Sequence, residues 1–148
     1  MDKHKIKVKI VTPERVVLKD IYDEATLPTT AGEIGVLAQH TPLVSGLKPG
    51  EIKLKKGDNI STLAVSSGFV EVRPNSSLVI LADTAEKAEE IDLKRAEEAR
   101  TRAEQMLKEK DQAEDVDYTR LAATLEKEMA RIKVGRKYKK APPSINRQ

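Results

Sequence analysis

The sequence predicts an α+β fold, in which an N-terminal antiparallel β-sandwich or barrel of short strands precedes a C-terminal antiparallel two-helix hairpin. Apolar residues alternate with polar ones up to about residue 90 and recur every three or four positions after it, which marks a change from strand to helix. Turn-forming Gly, Pro and Asn residues divide the first part into short pieces. We therefore expect a β-sandwich domain over residues 1–90, a helical hairpin over 91–134, and a basic, flexible tail over 135–148.

Several strands are predicted in the first part. Ile6, Val8 and Ile10 alternate with lysines, which is typical of a half-buried strand, and Thr12-Pro13 forms a turn. Further strands are expected at Val16–Leu18, Ile21–Leu27, Glu51–Lys55, Ile60–Val65, Phe69–Val72 and Leu78–Ala82. Short strands at regular spacing favour an antiparallel sandwich or barrel.

Two amphipathic helices are predicted in the second part. The first should begin after Asp92, whose carboxylate can accept a backbone N–H of the first turn; a start after Asp83 is the alternative. Polar residues 110–114 can turn the chain into a second helix, with Asp115 or Asp117 as its cap. The expected apolar faces comprise Ala96, Ala99, Ala103, Met106 and Leu107 in the first helix and Tyr118, Leu121, Ala122, Leu125, Met129 and Ile132 in the second.

The apolar face of the first helix consists mainly of alanines. Each alanine buries about one methyl group, which contributes near 0.8 kcal/mol. We infer that the hairpin can leave the sandwich without unfolding it. A stably docked hairpin, or one that is simply mobile, is the alternative.

Composition narrows the function classes. The 148 residues carry 27 bases and 24 acids, a mixed balance that argues against a dedicated nucleic-acid binder. The absence of cysteine excludes disulfides and fits a reducing compartment. The N-terminus leads into an alternating strand rather than a signal peptide, and no apolar run approaches the roughly 20 residues of a membrane span. We expect no direct membrane insertion, so any association with a membrane would depend on partners.

Three motifs, in order along the chain, resemble the epsilon-subunit family of F-type ATP synthase, called delta in mitochondria. Residues 32–43 resemble the family's Gly-x-Leu-Gly-Ile-Leu-Pro-Gly-His-x-Pro-Leu passage, Ser67–Val72 resembles its Gly-Gly-Phe-x-Glu-Val strand, and Leu78–Glu86 resembles its last strand. The resemblance extends from about Val11 to Ile132. Ala38-Gln39 stands where the family commonly has Pro-Gly, and Ser67 replaces the first glycine of the strand motif.

The resemblance implies a non-catalytic central-stalk, or rotor, subunit of a proton-translocating ATP synthase. Such a subunit couples rotation to ATP synthesis and regulates or inhibits ATP hydrolysis through a mobile hairpin. The implied partners are the gamma subunit, the membrane rotor c-ring and an acidic loop of the beta subunit. The implied location is the cytoplasmic face of a bacterial membrane, or the stromal face of a thylakoid if the protein is plastidic. We expect no catalytic residues in this chain and no metal site.

Four residues are candidates for subunit contacts. The resemblance places Glu33 against the ring and His40 at a subunit interface, and it lets Arg136 and Lys137 meet the acidic loop of beta when the hairpin extends. A solvated turn carboxylate is the alternative for Glu33. For His40 the alternative is a ring that satisfies a turn carbonyl, and a metal site is disfavoured because His4 is the only other histidine.

The junction between the two parts matches a family motif. Ile91, Asp92, Arg95 and Ala96 correspond to Ile-Asp-x-x-Arg-Ala, which opens the first helix and in some bacterial members helps to bind ATP, fastening the hairpin in its folded form. The chemistry is reasonable, since Arg95 can pair with phosphate. The alternative is that Asp92 only caps the helix and Arg95 is a solvated charge.

Three further residues belong to the same implied pocket. Glu86 matches a family position in it. Family binders place two arginines about one turn apart on the second helix; Arg131 matches the later one and Lys127 stands at the earlier. Lysine keeps the charge but loses bidentate geometry. ATP is thus a candidate regulatory ligand, and no cofactor is required.

The rival function is a nucleic-acid-binding or passive adapter module that uses the basic tail. Lys133, Arg136, Lys137, Lys139 and Lys140 follow one another without an acid. Tyr138 is the only aromatic residue among them, so base stacking is hardly available. We therefore expect no nucleic acid as a partner.

Overall fold

The computed structural model describes residues 3–109 and 115–140. The predicted turn over 110–114 and the tail beyond residue 140 lie outside the described residues, as do the side chains of the two proposed caps, Asp115 and Asp117. Within these two ranges, ten strands come first, then one turn of 3₁₀ helix and two α-helices. In chain order they are β1 (Ile6–Val11), β2 (Val16–Tyr22), β3 (Glu24–Thr29), β4 (Gly32–Leu37), β5 (Leu43–Leu47), β6 (Gly50–Lys56), β7 (Asn59–Val65), β8 (Gly68–Arg73), β9 (Ser77–Ala82), β10 (Ala85–Lys87), the 3₁₀ helix Ala88–Glu90, α1 (Leu93–Glu109) and α2 (Asp115–Lys140).

The strands form one sheet that curls into a nearly closed barrel, as the sequence predicted. Their order is β10-β7-β6-β3-β5-β8-β9-β1-β2, and β4 pairs with β3. All neighbours are antiparallel except β1 and β9. The corner between β2 and β3 closes onto β6, because the Asp23 N–H donates to the Lys55 carbonyl at 2.7 Å and Lys56 Nζ lies 2.7 Å from Asp20 Oδ2.

The core lies inside this barrel. Ile6, Val8 and Ile10 are at most 1% exposed, so the alternation in β1 is confirmed. The expected break between the second and third strands was wrong: Ile21 belongs to β2, and the chain turns at Asp23. The Asp23 carboxylate accepts hydrogen bonds from Lys5 and from the Gly57 N–H, which holds the corner at that residue.

The structure accommodates both departures from the family pattern. Gln39 adopts φ +63°, a left-handed conformation that glycine adopts without strain, and its N–H donates to Ser76 Oγ at 2.8 Å. Ser67 is exposed, whereas a Cβ on Gly68 would lie 1.9 Å from the Leu81 carbonyl oxygen. The second glycine of the strand motif is therefore the one that β8–β9 pairing requires.

The first helix begins as predicted. The Arg95 N–H donates to Asp92 Oδ1 at 3.1 Å, so Asp92 is the N-cap of α1. The alternative start after Asp83 was wrong, because β10 and the 3₁₀ helix occupy residues 85–90. Ala96 and Ala103 are buried as expected, but Met106 is 44% exposed.

The second helix continues farther than predicted. It ends at Lys140 rather than near residue 134, so the part of the expected flexible tail that the structure describes is helical. Val134 is 0% exposed, and a Cβ on Gly135 would lie 3.2 Å from Ile91 Cγ2. This packing explains why the helix continues past residue 134. On the predicted apolar face, Ile132 is buried but Tyr118 and Met129 are about half exposed.

Candidate functional site

The hairpin lies against the sandwich. α2 contacts β6, β7 and the 3₁₀ helix. Val134 forms a small apolar cluster with Ala64 of β7, Ala88 and the half-buried Ile91. Small residues on the sandwich side let the helix approach closely, so this cluster is the apolar part of the docking contact.

Arg131 provides the polar part of that contact. Its Nε lies 2.7 Å from Glu86 Oε2 and its Nη2 lies 3.2 Å from Glu86 Oε1, which is a two-pronged pair between α2 and β10. Its Nη1 lies 2.8 Å from Glu128 Oε2. The Arg131 side chain is 18% exposed and that of Glu128 is 6% exposed. The guanidinium is therefore held on two sides by carboxylates and largely withdrawn from water.

The environment keeps Arg131 charged. Burial is the largest single influence and lowers its pKa, but the hydrogen bonds to Glu86 and Glu128 together outweigh it and raise the pKa above its ordinary value. Charge-assisted hydrogen bonds to carboxylates favour the protonated guanidinium. Arg131 is thus a permanent cation at the junction of helix and sandwich.

The remaining residues of the implied nucleotide pocket have different surroundings. Asp92 and Arg95 are exposed, and Asp92 caps α1. Ala96 is buried and Ile91 packs toward Val134. Arg95 and Lys127 form no ion pair with the residues that the structure describes. Of the predicted pocket, the structure joins Glu86 to Arg131 directly, and nucleotide binding by the set stays a prediction.

The two basic residues expected at a subunit interface are paired within the chain. Arg136 Nη2 lies 3.2 Å from Glu97 Oε1 of α1. Lys137 Nζ lies 2.9 Å from Glu51 Oε1 of β6, whose side chain is only 6% exposed. Interactions with an acidic partner would have to replace these contacts.

Glu33 and His40 lie on the sandwich. Glu33 is exposed on β4 and lines an open cleft of about 290 Å³ with Lys133 and Lys137 of α2. His40 Nδ1 lies 2.6 Å from the Thr41 carbonyl oxygen, which is the local contact expected as the alternative. Their roles in subunit contacts stay predictions. Among residues 3–109 and 115–140, no group of three or more His, Cys, Asp or Glu could hold a metal ion.

Three acidic residues of the site were not predicted. Glu51, Glu97 and Glu128 contact Lys137, Arg136 and Arg131 respectively. The i, i+3 spacing of Glu128 and Arg131 could have identified that pair, because residues three apart are neighbours on a helix. The other two pairs join distant parts of the chain, and no local spacing indicates them.

The outer surface of the sheet carries exposed apolar side chains. Val44 of β5, Phe69 of β8 and Leu81 of β9 are 71%, 64% and 50% exposed. The register places Phe69 opposite Leu81 and Val44 opposite Glu71, so all three lie on one face, next to Val11 of β1. We call these four residues the outer apolar face. Such clusters mark interaction surfaces in soluble proteins. Among the described residues, no helix is both long and apolar enough to cross a membrane.

Both halves of the chain are similar to known proteins. The family model for the ATP synthase delta/epsilon chain, beta-sandwich domain, matches residues 5–88, and that for its long alpha-helix domain matches residues 89–135. The ATP synthase epsilon chain of Desulforamulus reducens is 44% identical, covering 86% of this chain and 94% of the relative. That of Syntrophobacter fumaroxidans is 45% identical, covering 90% and 97%.

The fold is similar to that of chains in two solved structures. A chain of the Euglena gracilis mitochondrial ATP synthase OSCP/F1/c-ring cryo-EM structure superimposes with a TM-score of 0.71 at 24% identity, covering 83% of this chain and 76% of that chain. A chain of the Tetrahymena thermophila mitochondrial ATP synthase central stalk/c-ring structure does so with a TM-score of 0.55 at 16% identity. These likenesses concern the fold.

Proposed function

The chain belongs to the family of ATP synthase delta/epsilon chains, and from this membership we infer that it is a non-catalytic rotor subunit of the central stalk of a proton-translocating F-type ATP synthase. In this role it couples rotation to ATP synthesis and is attached to the membrane peripherally, through its partners. The nucleic-acid and passive-adapter alternatives receive no support from these relatives.

The observation that carries this proposal is the outer apolar face. Phe69 and Val44 are more than 60% exposed on an otherwise well-packed barrel, and large exposed apolar side chains are stabilised when a partner covers them. We assign this face to the gamma subunit. Glu33, exposed on β4, is assigned to the c-ring, and His40 to the neighbouring interface.

Phe69→Asp tests the assignment of the outer apolar face. Since an aromatic residue at the centre of an interface typically contributes about 2 kcal/mol or more, binding to purified gamma should weaken roughly thirtyfold or more. Ile60→Asp is the matched control, because Ile60 is 61% exposed on β7, away from this face. Equal binding by the two variants would refute the assignment.

The hairpin is proposed to act as a brake on ATP hydrolysis. In the docked form Lys137 is paired with Glu51 of the sandwich and Arg136 with Glu97 of α1. The acidic loop of beta can therefore reach Lys137 only after α2 leaves the sandwich, and Arg136 only after α2 separates from α1. The Arg136–Glu97 pair is about half exposed, and exposed ion pairs are weak and screened by salt, so Arg136 can exchange its partner. ATP is proposed to favour the docked form by binding at Asp92, Arg95 and Arg131.

Reconstitution with the partner subunits tests the regulatory role. ATP hydrolysis by the assembled enzyme is compared for the full chain, a chain ending at Glu90, and a control that lacks only residues 141–148. The chain ending at Glu90 should assemble but release the inhibition, and the control should retain it. Equal hydrolysis rates for all three would refute the brake.

A further inference from the structure

The Arg131 site already contains anions. Glu86 grips the guanidinium through both carboxylate oxygens, at 2.7 and 3.2 Å. Glu128 adds a third contact at 2.8 Å. A two-pronged approach to a guanidinium is also the geometry with which arginine binds phosphate. Glu86 thus occupies the side of Arg131 that a bound phosphate group would use.

The pair joins two separate parts of the molecule. Glu86 lies on β10 of the sandwich and Arg131 on α2, 45 residues away in sequence. Their side chains are 28% and 18% exposed, whereas Lys137, which pairs with Glu51 of the sandwich, is 53% exposed. Shielded pairs are screened by salt less than exposed ones. Among the described ion pairs between α2 and the sandwich, Arg131–Glu86 is therefore well placed to hold the hairpin down.

We propose that Glu86 and Glu128 take the place of a nucleotide: they hold Arg131, and with it the docked hairpin, in the absence of ligand, and a phosphate group reaches Arg131 only by displacing Glu86. This inference rests on the proposed regulatory role of the hairpin. It makes Glu128, which touches Arg131 from within the same helix, a positioning residue that also opposes phosphate.

The charges of the cluster explain this opposition. Two carboxylates surround one guanidinium, so the cluster carries net negative charge in a partly buried place. A polyphosphate arriving there meets repulsion, which is stronger away from bulk water. Because Glu128 is buried, its charge is little screened by water and opposes the ligand even after Glu86 has moved.

The first experiment measures docking without nucleotide. The chain has no cysteine, so spin labels at Ser61→Cys on β7 and Lys139→Cys near the end of α2 report their separation alone. Double electron–electron resonance measures the distances between the two labels, and the populations at short and long distance give the ratio of docked to undocked chains. Glu86→Gln and Arg131→Gln should each lower that ratio roughly tenfold or more, since hydrogen bonds to charged groups contribute on that scale. The double variant should lose little more, because the two residues act as one pair.

A matched control is available on the same helix. Glu126 is exposed and, like Glu128, loses one charge on replacement by glutamine. Glu126→Gln should leave the docked ratio unchanged. Thermal unfolding of the sandwich, followed by circular dichroism, should be the same in all variants, which separates undocking from misfolding. Docked ratios for Glu86→Gln and Arg131→Gln equal to that of Glu126→Gln, or losses that add in the double variant, would overturn the proposal.

The second experiment measures competition by calorimetry with magnesium-ATP. Glu128→Gln should bind ATP several-fold more tightly than the unmodified chain and Glu126→Gln should not. If Glu128→Gln binds ATP no more tightly than the unmodified chain, Glu128 does not oppose phosphate and the proposal is overturned. It is also overturned if neither the unmodified chain nor any variant binds ATP. The proposed function is tested separately. It fails if loss of the hairpin leaves ATP hydrolysis by the assembled enzyme unchanged, even when the docking results on the isolated chain are as expected.

Discussion

Replacing Val134 by alanine tests whether docking of the hairpin depends on one small apolar contact. Val134 is 0% exposed and packs with Ala64, Ala88 and Ile91. The change removes two methyl groups, which contribute about 0.8 kcal/mol each. The cavity left against these small neighbours adds up to about 1 kcal/mol. Docking should therefore weaken by about 2 to 2.5 kcal/mol, a roughly 30- to 60-fold fall in the ratio of docked to undocked chains.

The assay is the label pair on β7 and the end of α2 described above, together with deuterium uptake along α2. Met129→Ala is the control, because it shortens an apolar side chain of the same helix that is 47% exposed. The melting temperature of the sandwich should stay unchanged, since Val134 lies outside the main core cluster. A docked ratio for Val134→Ala within about twofold of that for Met129→Ala would refute the reasoning, because burial would then contribute nothing to docking.

Three other predictions concern the fold that supports the site. Gly68→Ala should lower the free energy of unfolding by at least about 2 kcal/mol in denaturant titration, because the added Cβ would lie 1.9 Å from a carbonyl oxygen of β9, while Ser67→Ala, on an exposed neighbour, should change it by no more than about 0.5 kcal/mol. Asp92→Ala should cost about 1 kcal/mol of helix stability and lower the helical signal in circular dichroism, whereas Asp92→Asn should keep the cap. Equal helical signals from the two variants would contradict the capping role. Hydrogen bonds from lysine side chains hold the pKa values of Asp20 and Asp23 below 3.8. The stabilisation from these carboxylates is therefore complete above that value and is lost as pH falls through the folded-state pKa. The free energy of unfolding of the double variant Asp20→Asn/Asp23→Asn should fall less than that of the unmodified chain between about pH 5 and about pH 2. Parallel curves of unfolding free energy against pH for the two proteins would count against this account.

Much of the architecture follows from local patterns. Alternation predicted β1 because Ile6, Val8 and Ile10 face one core, and a sheet with one buried face imposes a period of two. Asp92 was predicted as the N-cap because capping is a contact within one turn. The strand break at Asp23 was missed, since it depends on Lys5 and on the N–H of Gly57, which are far along the chain.

The sequence by itself determined the family, the two-part fold and the start of α1, because these depend on motifs and on contacts between near neighbours. Only the tertiary structure decided that Arg131 meets Glu86 and that Lys137 meets Glu51, pairs 45 and 86 residues apart. The tertiary structure also extended α2 to Lys140, since Val134 is buried and Gly135 packs closely against Ile91. The physical reason is the same in each case: the partner of a charged or apolar side chain is the group that folding places next to it, and that group can be far away in the sequence.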